Sequence, residues 1–439
     1  MKKILSTIIA LFFFTASSFA QSADEKVGEM MNNSQWFELR EYLQTENDSV
    51  SPFMANFAKA MLAHFFNNPK SAVESSQALI KDFSEDLGIG NILSVSQIIA
   101  TNQSKLGENT QAAHTLSQIL DTTKQFLDSI SILSFNNQIN RYYELSKFSP
   151  YRVSKKFPEV SLPIKLDTAV IIKDKPTNIK VFLTDCEINE KGCDIIFDTG
   201  AGMNVISTRL AKEMGLKFLD TQMSAYGLNY VHNIPLAIAD SLKLGDITIY
   251  DVPFLVLDIT SGHETLDAQL SNIEIVIGLE VMNALRHLKL DFKNSCLMLS
   301  DKSFVPNNTQ PNMMIANGQQ LIVKGLVSNN PILMALDTGD GSFGIFFCNS
   351  WQFMKSYITP DQKPTDAVFG GSGGFDKVSL YRIKDIPLTI GNNSITIPQI
   401  DLSETYSAED CNVRIGLKTL TLFESVSFDM EQMIMSVVR

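Results

Sequence analysis

The chain has 439 residues, a length that predicts about three domains at roughly 150 residues each. Hydrophobic residues make up 44% and charged residues 19%, so the chain has the composition of a folded globular protein and not of a disordered one. The formal net charge of -12 is spread without long runs of one sign, which argues against a nucleic-acid partner and favours a peptide or small-molecule partner.

Residues 1–20 have the pattern of an export signal. Lys2 and Lys3 precede an apolar run from Ile4 to Thr15, and Ser18-Phe19-Ala20 then matches the end of a secretory signal. We therefore expect cleavage after Ala20 and a periplasmic or extracellular protein. The alternative is a membrane anchor, but the run is shorter than the ~20 residues that a spanning helix needs. No later run reaches that length, so we expect no stable membrane span.

Residues 21–150 are predicted to form an α-helical domain. Phe53, Phe57, Met61 and Phe65 recur every four residues and so share one helix face. The region resembles helix hairpins of the tetratricopeptide type, although no firm repeat period is present.

After residue 150 the chain becomes rich in Val, Ile, Thr and Phe, in short runs between turn-forming residues, which is typical of β structure. A second change occurs at 302–313, where Pro and Asn accumulate without an apolar pattern. We interpret 302–313 as a linker between two β lobes, residues 151–301 and 314–439.

The two β segments repeat each other. An Asp-Thr-Gly triplet follows an apolar strand at 198–200 and again at 337–339, which is 139 positions later. The elements Ile277-Gly278-Leu279 and Ile415-Gly416-Leu417 lie 138 positions apart. Matched spacing of unrelated landmarks indicates a duplicated fold. The alternative is that each triplet is only a turn with a side-chain hydrogen bond.

A duplicated fold brings Asp198 and Asp337 together at its twofold axis. Two carboxylates roughly 4 Å apart repel by about 4 kcal/mol at an effective dielectric near 20, so the pair shares one proton and offers a base beside an acid. The loops predicted to support them contain Thr199, Gly200, Ala201, Thr338, Gly339 and Asp340. We expect the glycines to allow close approach and the threonine hydroxyls to bond the opposite loop.

Residues 160–439 resemble the retropepsin-like and pepsin-like aspartic peptidases, in a bacterial single-chain form with a helical N-terminal region. The matching segments are Ile195-Ile196-Phe197-Asp198-Thr199-Gly200-Ala201 and Leu336-Asp337-Thr338-Gly339. The two apolar-Gly elements match as well. The resemblance implies a mainly β fold with two pseudo-twofold acid-protease barrel lobes, preceded by an α-helical domain. It also implies peptide substrates, catalysis by Asp198 and Asp337 without a cofactor, and a site that a monomer can complete.

Members of that family close over the substrate with glycine-containing flaps. The matching stretches contain Tyr226 and Gly227 in the first repeat and Gly370 and Gly371 in the second. The alternative is that these stretches are ordinary surface turns.

Asp340 departs from the family pattern, which usually has Ser, Thr or Ala at this position. A third carboxylate beside the pair favours retention of protons, so one hypothesis places maximal activity near neutral pH. The alternative is that Asp340 faces solvent or caps a local turn.

Cysteine and histidine usage suggests no metal site. The five histidines are scattered singly and no Cys or His pair has zinc spacing. Cys186 and Cys193 flank a polar turn, where they form either a bridge across a hairpin or two small buried side chains.

The sequence therefore predicts an exported aspartic endopeptidase that activates water between two aspartates. One alternative is a catalytically weak or inactive peptide-binding protein of the same fold. Another makes the helical segment an inhibitory propeptide that is removed near residue 150.

Overall fold

The computed structural model of the chain describes residues 22–154, 159–172, 175–226, 230–260, 262, 267, 270, 273–307, 309–316, 319–371, 374–408 and 410–439. The predicted export signal at 1–20 lies outside the described residues. The chain separates into two compact units, Met1–Ser149 and Pro150–Arg439, here called the helical unit and the β unit. Among the described residues, no helix combines the length and apolar composition that a membrane span requires.

The helical unit consists of consecutive helices that pack on their chain neighbours. Their starts follow from local chemistry, because Ser22, Ser51, Asn68 and Asp128 each cap a helix by accepting a backbone N–H. Pro residues open the third and fourth helices, where a missing N–H costs nothing. The helices are α1 (Ala23–Asn32), α2 (Trp36–Glu46), α3 (Pro52–Phe65), α4 (Pro69–Lys105), α5 (Asn109–Thr123) and α6 (Ser129–Leu145).

We call residues 151–301 and 314–439 of the β unit, the two β segments predicted from the sequence, the first and the second lobe. The first lobe contains β1 (Arg152–Val153), β2 (Val160–Ile172), β3 (Lys175–Ile188), β4 (Lys191–Phe197), β5 (Val205–Ile206), α7 (Thr208–Glu213), β6 (Lys217–Tyr226), β7 (Tyr230–Leu244), β8 (Ile247–Val256), β9 (Ile275–Ile277), α8 (Leu279–Leu285), β10 (His287–Asp291) and β11 (Cys296–Ser300). The second lobe contains β12 (Met313–Ala316), β13 (Gln320–Val327), β14 (Asn330–Asp337), β15 (Gly344–Phe346), α9 (Trp351–Met354), β16 (Thr365–Gly371), β17 (Gly374–Ile390), β18 (Asn393–Ser403), β19 (Val413–Gly416), α10 (Leu417–Leu420), β20 (Ser425–Asp429) and β21 (Ile434–Val438).

Two sheets organise these strands. One runs in the order β21-β20-β10-β11-β2-β3-β4-β9-β5-β8-β7-β6, with β1 beside β8, and the other in the order β12-β13-β14-β19-β15-β18-β17-β16. In each lobe the strand that ends at an Asp-Thr-Gly triplet lies parallel to the strand that ends at an apolar-Gly element, as β4–β9 and β14–β19. The prediction of a mainly β protease fold preceded by helices is confirmed.

The two lobes share one sheet at their junction. β10 of the first lobe pairs antiparallel with β20 of the second, and His287 lies opposite Asp429 while Asp291 lies opposite Ser425. A shift of 138 positions converts His287 to Ser425 and Asp291 to Asp429, so the pairing maps onto itself when the lobes are exchanged. The sequence repeat therefore corresponds to a local twofold axis at this strand pair. The last two strands of the second repeat, β20 and β21, belong to the first sheet.

Candidate active site

The two triplets occupy equivalent turns at the carboxyl ends of β4 and β14. Asp198 N–H donates to the carbonyl oxygen of Ile277 on the neighbouring parallel strand at 3.0 Å. Each turn closes on itself, through Ala201 N–H to the Asp198 carbonyl at 3.3 Å and Asp340 N–H to the Asp337 carbonyl at 3.1 Å. Buried strands therefore hold both turns from below.

Threonine hydroxyls lock the two turns to each other. Thr199 N–H donates to Thr338 Oγ1 at 2.9 Å, and Thr338 N–H donates to Thr199 Oγ1 at 3.0 Å. Thr338 Oγ1 also donates to the Phe197 carbonyl at 2.8 Å. Both threonines are fully buried, so these polar groups depend on one another for hydrogen bonds. The hydroxyls reach the opposite loop, as expected from the sequence.

The glycines allow each carboxylate to rest on the opposite turn. A Cβ on Gly200 would lie 2.6 Å from Asp337 Oδ1, and a Cβ on Gly339 would lie 2.5 Å from Asp198 Cγ. Asp198 Oδ1 accepts N–H groups from Gly200 at 2.8 Å and from Gly339 at 3.1 Å. The second of these bonds crosses between the lobes, so both aspartates belong to one site.

The two carboxyls have different surroundings. Burial, and next the negative charge of Asp198, raise the pKa of Asp337 to about 7. Its side chain is 22% exposed and therefore still reachable from solvent. Asp198 instead accepts the two glycine N–H groups, which stabilise negative charge on its carboxylate. The raised pKa favours the protonated form of Asp337.

Arg414 is a charged residue of the site that sequence reasoning missed. Its Nε lies 3.3 Å from Asp340 Oδ2 and 3.9 Å from Asp337 Oδ2. The signal was present in the sequence, since Arg414 interrupts the apolar element between Val413 and Ile415. Asp340 also accepts the N–H of a residue two positions on, at 2.9 Å. Asp340 thus does cap a local turn, and it contacts a cation as well.

A buried amide supports the first turn and was also missed. Asn204 Oδ1 accepts the Gly278 N–H at 3.1 Å, and its Nδ2 donates to the Pro253 carbonyl at 3.0 Å and to the Tyr151 hydroxyl at 3.1 Å. Tyr151 in turn donates to Glu280. Asn204 is fully buried. The first residues of the β unit are therefore connected to the element that packs behind Asp198.

The stretches expected to act as flaps lie at hairpin ends. Tyr226 is the last residue of β6, which pairs with β7, whereas Gly227 lies outside the described residues. Gly370 and Gly371 end β16 and pair with the start of β17. Their contact with a substrate stays a prediction.

The two cysteines expected at the first hairpin are partners across β3 and β4. Cys186 and Cys193 lie opposite each other in the pairing register, and both are free thiols. Burial raises the pKa of both thiols, that of Cys193 to about 11. Cys193 lies on β4, the strand that leads to Asp198, and Cys186 lies on the neighbouring β3.

Known proteins similar to the chain come from a family match and from solved structures. Among solved structures, the chain is similar to a retropepsin-like aspartic protease from Rickettsia conorii, with 15% identity and a TM-score of 0.21 over 34% of this chain and 95% of that chain. No curated protein matches the chain. Residues 184–281 match the family model described as aspartyl protease, and this segment contains Asp198 and the Gly278 element. The first lobe is therefore similar to aspartyl proteases, which supports a protease-like function for the β unit.

Proposed function

We propose that the β unit is an aspartic endopeptidase that hydrolyses peptide bonds with a water molecule activated between Asp198 and Asp337. One observation carries the proposal. The Gly339 N–H of the second turn bonds the Asp198 carboxylate of the first at 3.1 Å, so two carboxyls of unlike surroundings share one site. A turn with a purely local role needs no partner from the other lobe.

The different surroundings of the two carboxyls favour one as the base and the other as the acid. Asp198, with its negative charge stabilised by two N–H groups, takes a proton from the water as the oxygen attacks the scissile carbonyl carbon. Asp337, whose pKa is raised by burial, gives its proton to the carbonyl oxygen. This step gives a neutral tetrahedral diol intermediate, with Asp198 protonated and Asp337 ionised. No covalent bond to the enzyme is formed.

The second half of the reaction reverses these proton transfers. Asp198 gives its proton to the leaving nitrogen while Asp337 removes one from a diol hydroxyl. The C–N bond breaks, an acid and an amine leave, and both aspartates return to their starting states. The threonine bonds between the turns keep the two carboxyls in place throughout.

The proposed substrate is an extended peptide or protein segment that lies between the lobes. We propose that the β6–β7 and β16–β17 hairpins cover it, and that its backbone pairs as an added strand. Both turns come from one chain, so a monomer is proposed to hold the whole site. Export to the periplasm or cell exterior belongs to the same proposal and rests on residues 1–20.

If the helical unit is removed as a propeptide, the position of the cut decides whether the site keeps its support. Tyr151 and Ser154 form hydrogen bonds within the first lobe, Ser154 through its N–H to the Thr248 carbonyl at 2.7 Å. A cut near residue 150 leaves these bonds intact, whereas a cut beyond Tyr151 removes support from the site. The mass of the mature chain in the culture fractions measures whether any cut occurs.

The test is cleavage of an unbiased peptide library by the wild type and by Asp198→Asn. We expect the variant to lose about 1,000-fold or more of the cleavage rate. Asp194→Asn is the matched control, because Asp194 is exposed on the same strand. An unchanged product set with Asp198→Asn would overturn the aspartic mechanism. Binding of peptides by the wild type without cleavage would instead support the peptide-binding alternative.

A further inference from the structure

Charged residues break the symmetry of the site on one side only. Asp340 stands at the position equivalent to Ala201, and Arg414 at the position equivalent to Val276. The strand registers confirm the second equivalence, since Val276 and Arg414 occupy the same place in the β4–β9 and β14–β19 pairings. Both charged residues therefore flank Asp337, and the corresponding residues beside the other turn are apolar.

The two side chains form a contact that includes the carboxyl of Asp337. Arg414 Nε lies between the carboxylates, 3.3 Å from Asp340 Oδ2 and 3.9 Å from Asp337 Oδ2. Asp340 is fixed on its other oxygen by the Ser342 N–H at 2.9 Å. The side chains of Arg414 and Asp340 are 25% and 17% exposed. Limited solvent leaves their charges weakly screened from Asp337.

We infer that Arg414 is a positioning residue for Asp337, and that Arg414 and Asp340 together form a charge-balancing pair that sets the pH range of the site. The inference rests on the proposed function where it concerns catalysis. It goes beyond that function because it assigns roles to two residues that do not take part in proton transfer.

The sign of each effect follows from the charges that face Asp337. These are Asp198 from the first turn, Lys180 from β3, Arg414 from β19 and Asp340 from the same turn. Removal of the Arg414 charge leaves two carboxyl groups and one lysine facing Asp337, which disfavours ionised Asp337 and raises its pKa. Removal of the Asp340 charge leaves the guanidinium without its counterion, which lowers that pKa.

The variants for the test are Arg414→Leu, Asp340→Ser and the double variant, which makes the second turn resemble the apolar surroundings of the first. We expect opposite shifts of about one pH unit for the single variants and a return toward the wild-type titration in the double variant. Arg382→Leu is the matched control, because Arg382 forms a similar pair with Asp401 elsewhere on the second lobe. Arg414→Lys keeps the charge and serves if the leucine variant does not fold.

The primary readout is the carboxyl ¹³C titration of the full chain labelled at aspartate, with the Asp337 signal identified by its loss in Asp337→Asn. This measurement needs no catalysis, so its failure is distinct from failure of the proposed function. Shifts of the same sign in both single variants, no shift in either, or an equal shift in Arg382→Leu would overturn the inference. If Arg414→Leu does not fold, two results together support the inference. The Asp337 titration in Arg414→Lys stays close to that of the wild type, and the Asp337 titration in Asp340→Ser shifts downward.

The second readout is the pH dependence of peptide cleavage. Because Asp337 must hold a proton to act as the acid, activity falls as pH rises through its pKa. The alkaline limb is expected to move up in Arg414→Leu and down in Asp340→Ser. An immobile alkaline limb in active variants would contradict the inference, since a structural role alone changes the rate without moving the limb.

Discussion

Thr338→Val tests the bonds that hold the two turns together. Valine has nearly the same shape as threonine but has no hydroxyl. The substitution removes the acceptor of the Thr199 N–H and the donor to the Phe197 carbonyl, which lie at 2.9 and 2.8 Å. Thr338 is fully buried, so water does not replace the lost partner.

The expected cost follows from those two orphaned groups. Each buried backbone group left without a partner costs about 1–3 kcal/mol, so Thr338→Val is expected to destabilise the β unit by about 2–6 kcal/mol. A domain has a free energy of unfolding of about 5–15 kcal/mol, so the loss is a large fraction of the total. Thr338→Ser keeps the hydroxyl and is expected to cost about 1 kcal/mol or less.

Urea unfolding of chain labelled with fluorotryptophan measures this cost for each unit separately. The chain has two tryptophans, Trp36 in α2 of the helical unit and Trp351 in α9 of the β unit. Only the Trp351 signal is expected to unfold at lower urea. Thr396→Val is the control, since Thr396 is exposed on β18. Equal midpoints for the Val and Ser variants of Thr338 would show that the hydroxyl does not hold the two turns together.

Three further changes test other parts of the structure. Gly339→Ala adds a Cβ 2.5 Å from Asp198 Cγ, so we expect at least about a 100-fold slower cleavage; Gly192→Ala, which meets no atom within 4 Å, is the control. Burial lowers the pKa of His64 from 6.5 to about 3. Below pH 6.5 the unfolded chain therefore binds a proton that the folded chain does not bind. As pH falls from 7 toward 4, the stability of the helical unit is expected to fall by about 1–2 kcal/mol in the wild type, because the ring is half-buried, and to show no such loss in His64→Gln. Burial raises the pKa of Cys193 to about 11, so iodoacetamide is expected to label it in urea but not in the folded chain; equal labelling rates would contradict this.

Much of the fold follows from patterns that are local in the chain. Short apolar runs between turn residues predict strands, and four-residue recurrence in the first part predicts helices. The equal spacing of the triplets and apolar-Gly elements added long-range information, because a duplicated chain must place equivalent turns about one axis. The self-matching register of β10 and β20 has the same origin.

The rest of the site depends on contacts that no local pattern encodes. The Tyr151 hydroxyl meets Glu280, 129 positions away, and Asn204, 53 positions away. Arg414 lies in the short strand β19, and its approach to Asp337 and Asp340 depends on the parallel register of that strand with β14. The hypothesis that Asp340 places maximal activity near neutral pH rests on the nearby carboxyls alone. In the structure the cation of Arg414 also faces Asp340.

The most direct test of a catalytic site shared by the two aspartates compares cleavage by Asp198→Asn, Asp337→Asn and the variant with both changes. If the two carboxyls share one proton and act on one water, each single change removes the mechanism as completely as the double change. We expect rates for all three variants that agree within a few-fold and lie about 1,000-fold or more below the wild type. Multiplicative losses, in which the double variant falls far below either single one, would contradict a shared site.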